Sequence, residues 1–166
     1  MRRLRIGAWG LAVVLGIGLA GPAAAAVTLR VAPVEGGRDM DFGLARSLNP
    51  QGEPTGDRVT RQVRLTITSS DPGRYQVFQS AGGRWTDLQG EEFPLDAVKF
   101  FVAEANGRGI VRFPNPTPLT LGEREIFLSE PSGGDRELLV TYTVQVPAGQ
   151  RAGRYRMNMT YRVVAQ

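Results

Sequence analysis

Apolar and polar residues alternate with a period of two along most of the chain after residue 26, and the last stretch is the cleanest. Tyr155, Met157, Met159, Tyr161 and Val163 are apolar or aromatic, and Arg156, Asn158, Thr160 and Arg162 between them are polar. Successive side chains of an extended strand point to opposite faces, so this stretch predicts a strand with one face on a core and the other in water. The same pattern places Leu138, Val140, Tyr142, Val144 and Val146 on one face of "ELLVTYTVQV". It also places Val59, Val63, Leu65 and Ile67 on one face of "VTRQVRLTITS", with Arg61 as the exception. Shorter strands are expected at "VTLRV" (Val27, Leu29 and Val31 inward), "DMDFG", "RYQVFQS", "RWTDL", "GIVRF" and "REIFLS". "AVKFFVAEA" is apolar on both faces, which predicts a central or covered strand.

The segments between these strands have turn chemistry. In "SDPG", Pro72 presets its backbone angle and Gly73 accepts positive φ, which predicts a hairpin returning "RYQVFQS" antiparallel to the strand before it. "NPQGEPTGD" (Asn49 to Asp57), "PNPTPLTLGE" and "EPSGGD" are loops by composition. No segment after the first 26 residues carries a helical period. Short strands punctuated by Gly, Pro, Asn and Asp predict an all-β, antiparallel, immunoglobulin-like β-sandwich of about seven to nine strands.

The first 26 residues follow a different rule. Arg2, Arg3 and Arg5 precede an apolar, Gly-interrupted run from Ile6 to Leu19, and Ala23 to Ala26 supply small residues for cleavage. That is the layout of a signal peptide, and the run falls short of the roughly 20 apolar residues of a membrane span. Residues 1–26 are thus expected to be a cleaved signal peptide and 27–166 a single sandwich domain, exported to the periplasm, cell surface or medium. No membrane insertion is expected after cleavage. Removing the leader also alters the charge. The chain has 20 basic and 16 acidic residues, and three of the basic ones lie in the leader, so 17 against 16 leaves +1. Single basic residues scattered among acids do not make a nucleic-acid surface, and no nucleic-acid partner is expected.

The chain has neither histidine nor cysteine. Disulfide staples, His-based nucleophile triads and the usual zinc ligand sets are therefore ruled out, and the core must hold by packing. Carboxylate chemistry would have to come from Asp39 and Asp41, Glu91 and Glu92, or Asp57, Asp71, Asp87 and Asp96. None of these has the spacing of a calcium loop, and solvated loop acids account for them all. No catalytic residue, metal site or cofactor is expected. Of the aromatic residues, Tyr142, Tyr155 and Tyr161 fall on core positions, whereas Trp85, in a short strand beside loops, is expected to make a surface contact.

Three stretches resemble bacterial exported β-sandwich proteins, namely pilin-like and spore-coat-type subunits and WxL-like cell-surface domains. They are "DMDFG", "RLTITSSDPGRYQV" and "VPAGQRAGRYRMNMTYRVV". The chain departs from that group in lacking a cysteine pair and in having "WTDL" where W-x-L would stand. The resemblance implies an exported, non-catalytic surface or periplasmic protein. One form of that expectation is a pilin-like assembly subunit that associates with itself or other envelope proteins by β-strand addition, with Val27, Leu29 and Val31 as strand donor. The alternative is a soluble module that binds a glycan or a protein.

Overall fold

The structure, a computed structural model, describes residues 27–34, 58–70, 72–104, 109–150 and 155–166, and the backbone of 4–6, 11–13, 43–45 and 154. Its described residues form strands and one 3-10 turn at Leu95–Ala97, with no α-helix among them. The first large sheet has the order β11 (Thr117–Pro118), β9 (Val98–Glu104), β13 (Arg136–Gln145), β5 (Arg58–Ser69) and β3 (Val27–Pro33), every pair antiparallel. The second has the order β10 (Gly109–Val111), β12 (Gly122–Ser129), β6 (Tyr75–Ala81) and β15 (Met159–Ala165), again antiparallel. Beyond β15 lies β2 (Leu11–Val13), parallel to it. Small pairings complete the structure: β7 (Trp85–Thr86) with β8 (Glu92–Phe93), and β1 (Leu4–Ile6) between β14 (Arg154–Tyr155) and β4 (Gly43–Ala45). From residue 27 onward the two large sheets hold nine strands, an all-β antiparallel sandwich.

Alternation determines what the sheets bury. β13 lies between β5 and β9 and turns Leu138, Val140, Tyr142 and Val144 inward, each fully buried. Val63, Leu65 and Ile67 do the same on β5. Tyr75, Val77, Gln79 and Ala81 of β6 and Met159 and Tyr161 of β15 face them from the second sheet. At the centre the two sheets meet in a polar bridge. The Tyr142 hydroxyl donates to Gln79 Oε1 at 2.7 Å and is hydrogen-bonded to the Tyr161 hydroxyl. Buried phenols need such partners, because an unpaired hydroxyl in the core costs more than the hydrogen bond gains.

Three features depart from the simple pattern. β6 pairs with β12 and β15, not with β5, so the connection through "SDPG" crosses from one sheet to the other instead of closing a hairpin. A short Pro-Gly link suits either geometry, and tertiary packing decides between them. β12 carries a bulge between Glu125 and Phe127, which lets both Ile126 and Phe127 be buried. Finally, β9 has β13 on one side and β11 with Phe113 and Leu119 on the other, and no described element lies over its outward face, where Phe101 is half-buried.

The end of the sandwich near the "EPSGGD" turn is tied by polar contacts. Asp135 Oδ1 accepts the Ser69 N–H at 2.9 Å, and the Tyr75 hydroxyl donates to Gly134 O at 2.9 Å. Arg136 reaches Glu104 at 3.3 Å, with both side chains largely shielded from water. Gly133 has a φ of +63° and lies so close to the Gly73 carbonyl that a Cβ would overlap it, so the position requires glycine.

The core makes three outcomes testable. Leu65→Ala, at a fully buried site between β13 and β3, should lower unfolding free energy by about 2–5 kcal/mol in a denaturant titration. Burial pushes the Tyr75 phenol up to about 12 and those of Tyr142 and Tyr161 well above the ordinary 10.0. A raised folded-state pKa means the folded protein holds its protons longer than the unfolded chain. Stability from these phenols is therefore complete below pH 10.0 and is lost as pH rises above it. Denaturation midpoints measured across the alkaline range should fall in that window, and Tyr142→Phe should cost about 1–3 kcal/mol at neutral pH by orphaning its partners.

Candidate functional site

The expected strand donor is the edge strand of the first sheet. Val27, Leu29 and Val31 pair antiparallel with Ser69, Ile67 and Leu65; Val31 is buried, and the other two are half-buried against the core. The Val34 N–H donates to Gln62 O at 2.9 Å. Backbone groups alternate in direction along an antiparallel strand, so the N–H groups of Val27, Leu29 and Val31 point away from β5. Pro33 takes the next outward position and has no N–H to offer. Acting as a donor would require β3 to leave its own sheet.

β15 is the corresponding edge of the second sheet. Gly82 N–H donates to Asn158 O and Gln166 N–H to Arg74 O, both at 2.8 Å, so even-numbered positions face β6. Odd-numbered backbone groups, from Met159 to Ala165, therefore face the outer edge. β2 runs parallel to Met159–Tyr161 there, and no described residue pairs with the outer side of Val163 or Ala165. β15 and β3 lie against each other across the sandwich, and β2 touches both. Among the described residues the result is a flank open past β2: two strand edges with Val27, Leu29 and Val163 half-buried between the sheets. Arg162 does not reach into this opening. Its guanidinium pairs with the Glu123 carboxylate and lies 4.3 Å from the Phe78 ring centroid, on the outer face of its own sheet. That hydrogen bonding lowers the pKa of Glu123.

Trp85 is not at the surface. The β7–β8 hairpin folds over one end of the sandwich and encloses the indole completely, 4.6 Å from the Phe93 ring, which itself meets Tyr155 at 5.3 Å. Asp87 holds the hairpin closed. Its Oδ1 accepts the N–H groups of Gln89 and Glu91, each at 2.9 Å. Gln150 clamps the same end by donating to the Tyr155 hydroxyl at 2.7 Å and to Glu92 O at 3.3 Å. The expectation of a surface contact is corrected because a two-residue strand has too little alternation to show which way its indole turns. The side chain exposed here is Leu88, at the hairpin tip.

The acids are dispersed. Glu91, Glu92 and Asp96 are exposed, Glu92 paired with Arg84, while Asp87 is buried in its structural role. Asp39, Asp41, Asp57 and Asp71 lie outside the described residues. Among the described residues no three acidic side chains gather where a metal ion could sit.

No family model matches the chain, and no curated protein matches it. Among solved structures it is similar to a family 123 glycoside hydrolase from Clostridium perfringens, at 15% identity and a TM-score of 0.35, over 67% of this chain. The chain spans 19% of that enzyme's length, and a likeness of this degree says nothing about activity.

Proposed function

We propose that the protein is an exported, non-catalytic component of a bacterial cell envelope, periplasmic or surface-exposed, that associates with protein partners by β-strand addition at the β15–β3 flank. The observation that supports this reading is the outer edge of β15 at Val163 and Ala165, with which no described residue pairs, beside half-buried Val163, Leu29 and Val27. Outward N–H and C=O groups give an incoming strand its main-chain hydrogen bonds, and the half-buried apolar side chains give it a surface to cover. A segment of this same chain, Leu11–Val13, already lies on that edge in the parallel sense, which supports an edge able to take an extended apolar segment. β15 can accept a strand without rearrangement. β3 can serve as donor only by exchange between copies, leaving its place to the equivalent strand of a neighbour.

Proline tests the edge without touching the β6 ladder, because Val163 and Ala165 direct their N–H groups outward. The protein beginning at Val27 should form multimers visible by size exclusion with light scattering. Val163→Pro combined with Ala165→Pro should leave it monomeric, with a loss of about 1 kcal/mol from trimming the half-buried valine. Multimers that persist unchanged in the double variant would remove strand addition at β15 as the mechanism.

A further inference from the structure

Among the described residues, the outward face of the first sheet carries an unbalanced charge. Strand register places Arg30 of β3, Arg58 and Arg64 of β5 and Lys99 of β9 on this face, opposite the buried Val63, Leu65 and Ile67. The only acidic side chain that the four strands place there is Glu137, which pairs with Arg64 at 3.3 Å. Arg30, Arg58 and Lys99 are exposed, and no carboxylate among the described residues pairs with them. The second sheet is different. On its outward face Glu123 holds Arg162 and Glu125 holds Arg112, so the charges cancel in pairs.

Between the cations the first sheet presents hydroxyl and amide groups. Thr60 and Thr143 share a hydrogen bond at 3.2 Å, and Gln62 Nε2 donates at 3.2 Å to Oγ1 of Thr141, which is itself buried. Thr28, Thr66 and Thr68 continue the array toward the edge. The half-buried Phe101 ring stands opposite Thr141. Arg30 and Lys99 are three strands and six register positions apart, on the order of 25 Å. A small anion cannot bridge that distance, whereas an extended polymer can.

We infer that this face binds a linear acidic polysaccharide, its carboxylates or phosphates meeting Arg30, Arg58 and Lys99 and its hydroxyls meeting the threonine array. A protein partner fits less well, because protein interfaces centre on a packed apolar patch and the described residues of this face place only Phe101 and Leu139 near its middle. The inference uses a face other than the β15–β3 flank and stands or falls separately from strand addition.

The test is binding of the protein beginning at Val27 to polygalacturonate, measured by calorimetry and by retardation in polymer-containing gels. Neutral dextran and poly-glutamate serve as comparison polymers. Polygalacturonate should bind saturably and weaken as salt rises, and dextran should not bind. Arg30→Gln, Arg58→Gln and Lys99→Gln together should weaken binding by about tenfold or more, these being exposed contacts that salt also screens. Thr66→Val with Thr68→Val, which keeps every charge, should weaken it by about threefold by removing hydroxyl partners. Arg112→Gln on the opposite face should leave it unchanged, and unaltered circular dichroism would establish that each variant folds. Absence of polygalacturonate binding overturns the inference. So do poly-glutamate binding of equal strength, or full affinity in the triple variant.

Discussion

Two sheets with one apolar surface each have to stay pressed together, and in a chain without cysteine nothing covalent helps them do so. The contact surface is built by β13 and β5 on one side and β6 and β15 on the other. Packing of this kind is non-directional and tolerates sliding. The Tyr142, Tyr161 and Gln79 bridge adds direction, because its hydrogen bonds are satisfied in only one relative placement of the sheets. Tyr142 belongs to the first sheet and its two partners to adjacent strands of the second, so the bridge fixes the alignment of three strands at once.

The same economy shapes the surfaces available for contact. Each strand has two faces, and with the inner one buried only outer faces and lateral edges can meet partners. One flank is closed by the segment that follows β10, where the Arg112 N–H donates to Ile126 O of the second sheet at 3.0 Å and the Val102 N–H of the first sheet donates to Phe113 O at 2.8 Å. Among the described residues, the other flank, where β15 and β3 run side by side, is met only by the three residues of β2. The proposed strand partner and the proposed polysaccharide therefore use geometrically separate parts of the molecule, an edge and a face, and one protein could engage both.

Much of the fold was legible in the sequence, and particular residues show why. β5, β13 and β15 are long enough for alternation to assign most side chains to a face, and Val63, Leu65 and Ile67, Leu138, Val140, Tyr142 and Val144, and Met159 and Tyr161 are buried as it predicts. Where strands are short or irregular, the pattern loses its hold. The bulge at Ile126 buries two successive residues, which no strict period describes. Arg136 occupies an inward register position opposite Ile67 because Glu104 meets it there, a compensation invisible without the pairing. Trp85 belongs to a two-residue strand whose direction is decided by Phe93 and Tyr155, the second of them distant in sequence. The open flank and the basic face were illegible for a related reason. Both arise from which strands become neighbours, and the "SDPG" link is compatible with more than one answer.

The positions of Met157 and Met159 have one more consequence. Both are almost completely enclosed, at 3% and 2% exposure. A thioether becomes vulnerable to peroxide only when an oxidant can reach it, and conversion to the sulfoxide would place a polar group in the core. Enclosure thus shields both sulfurs while the sandwich is closed, and oxidation at these two sites would report opening of β15 and of the segment that leads into it.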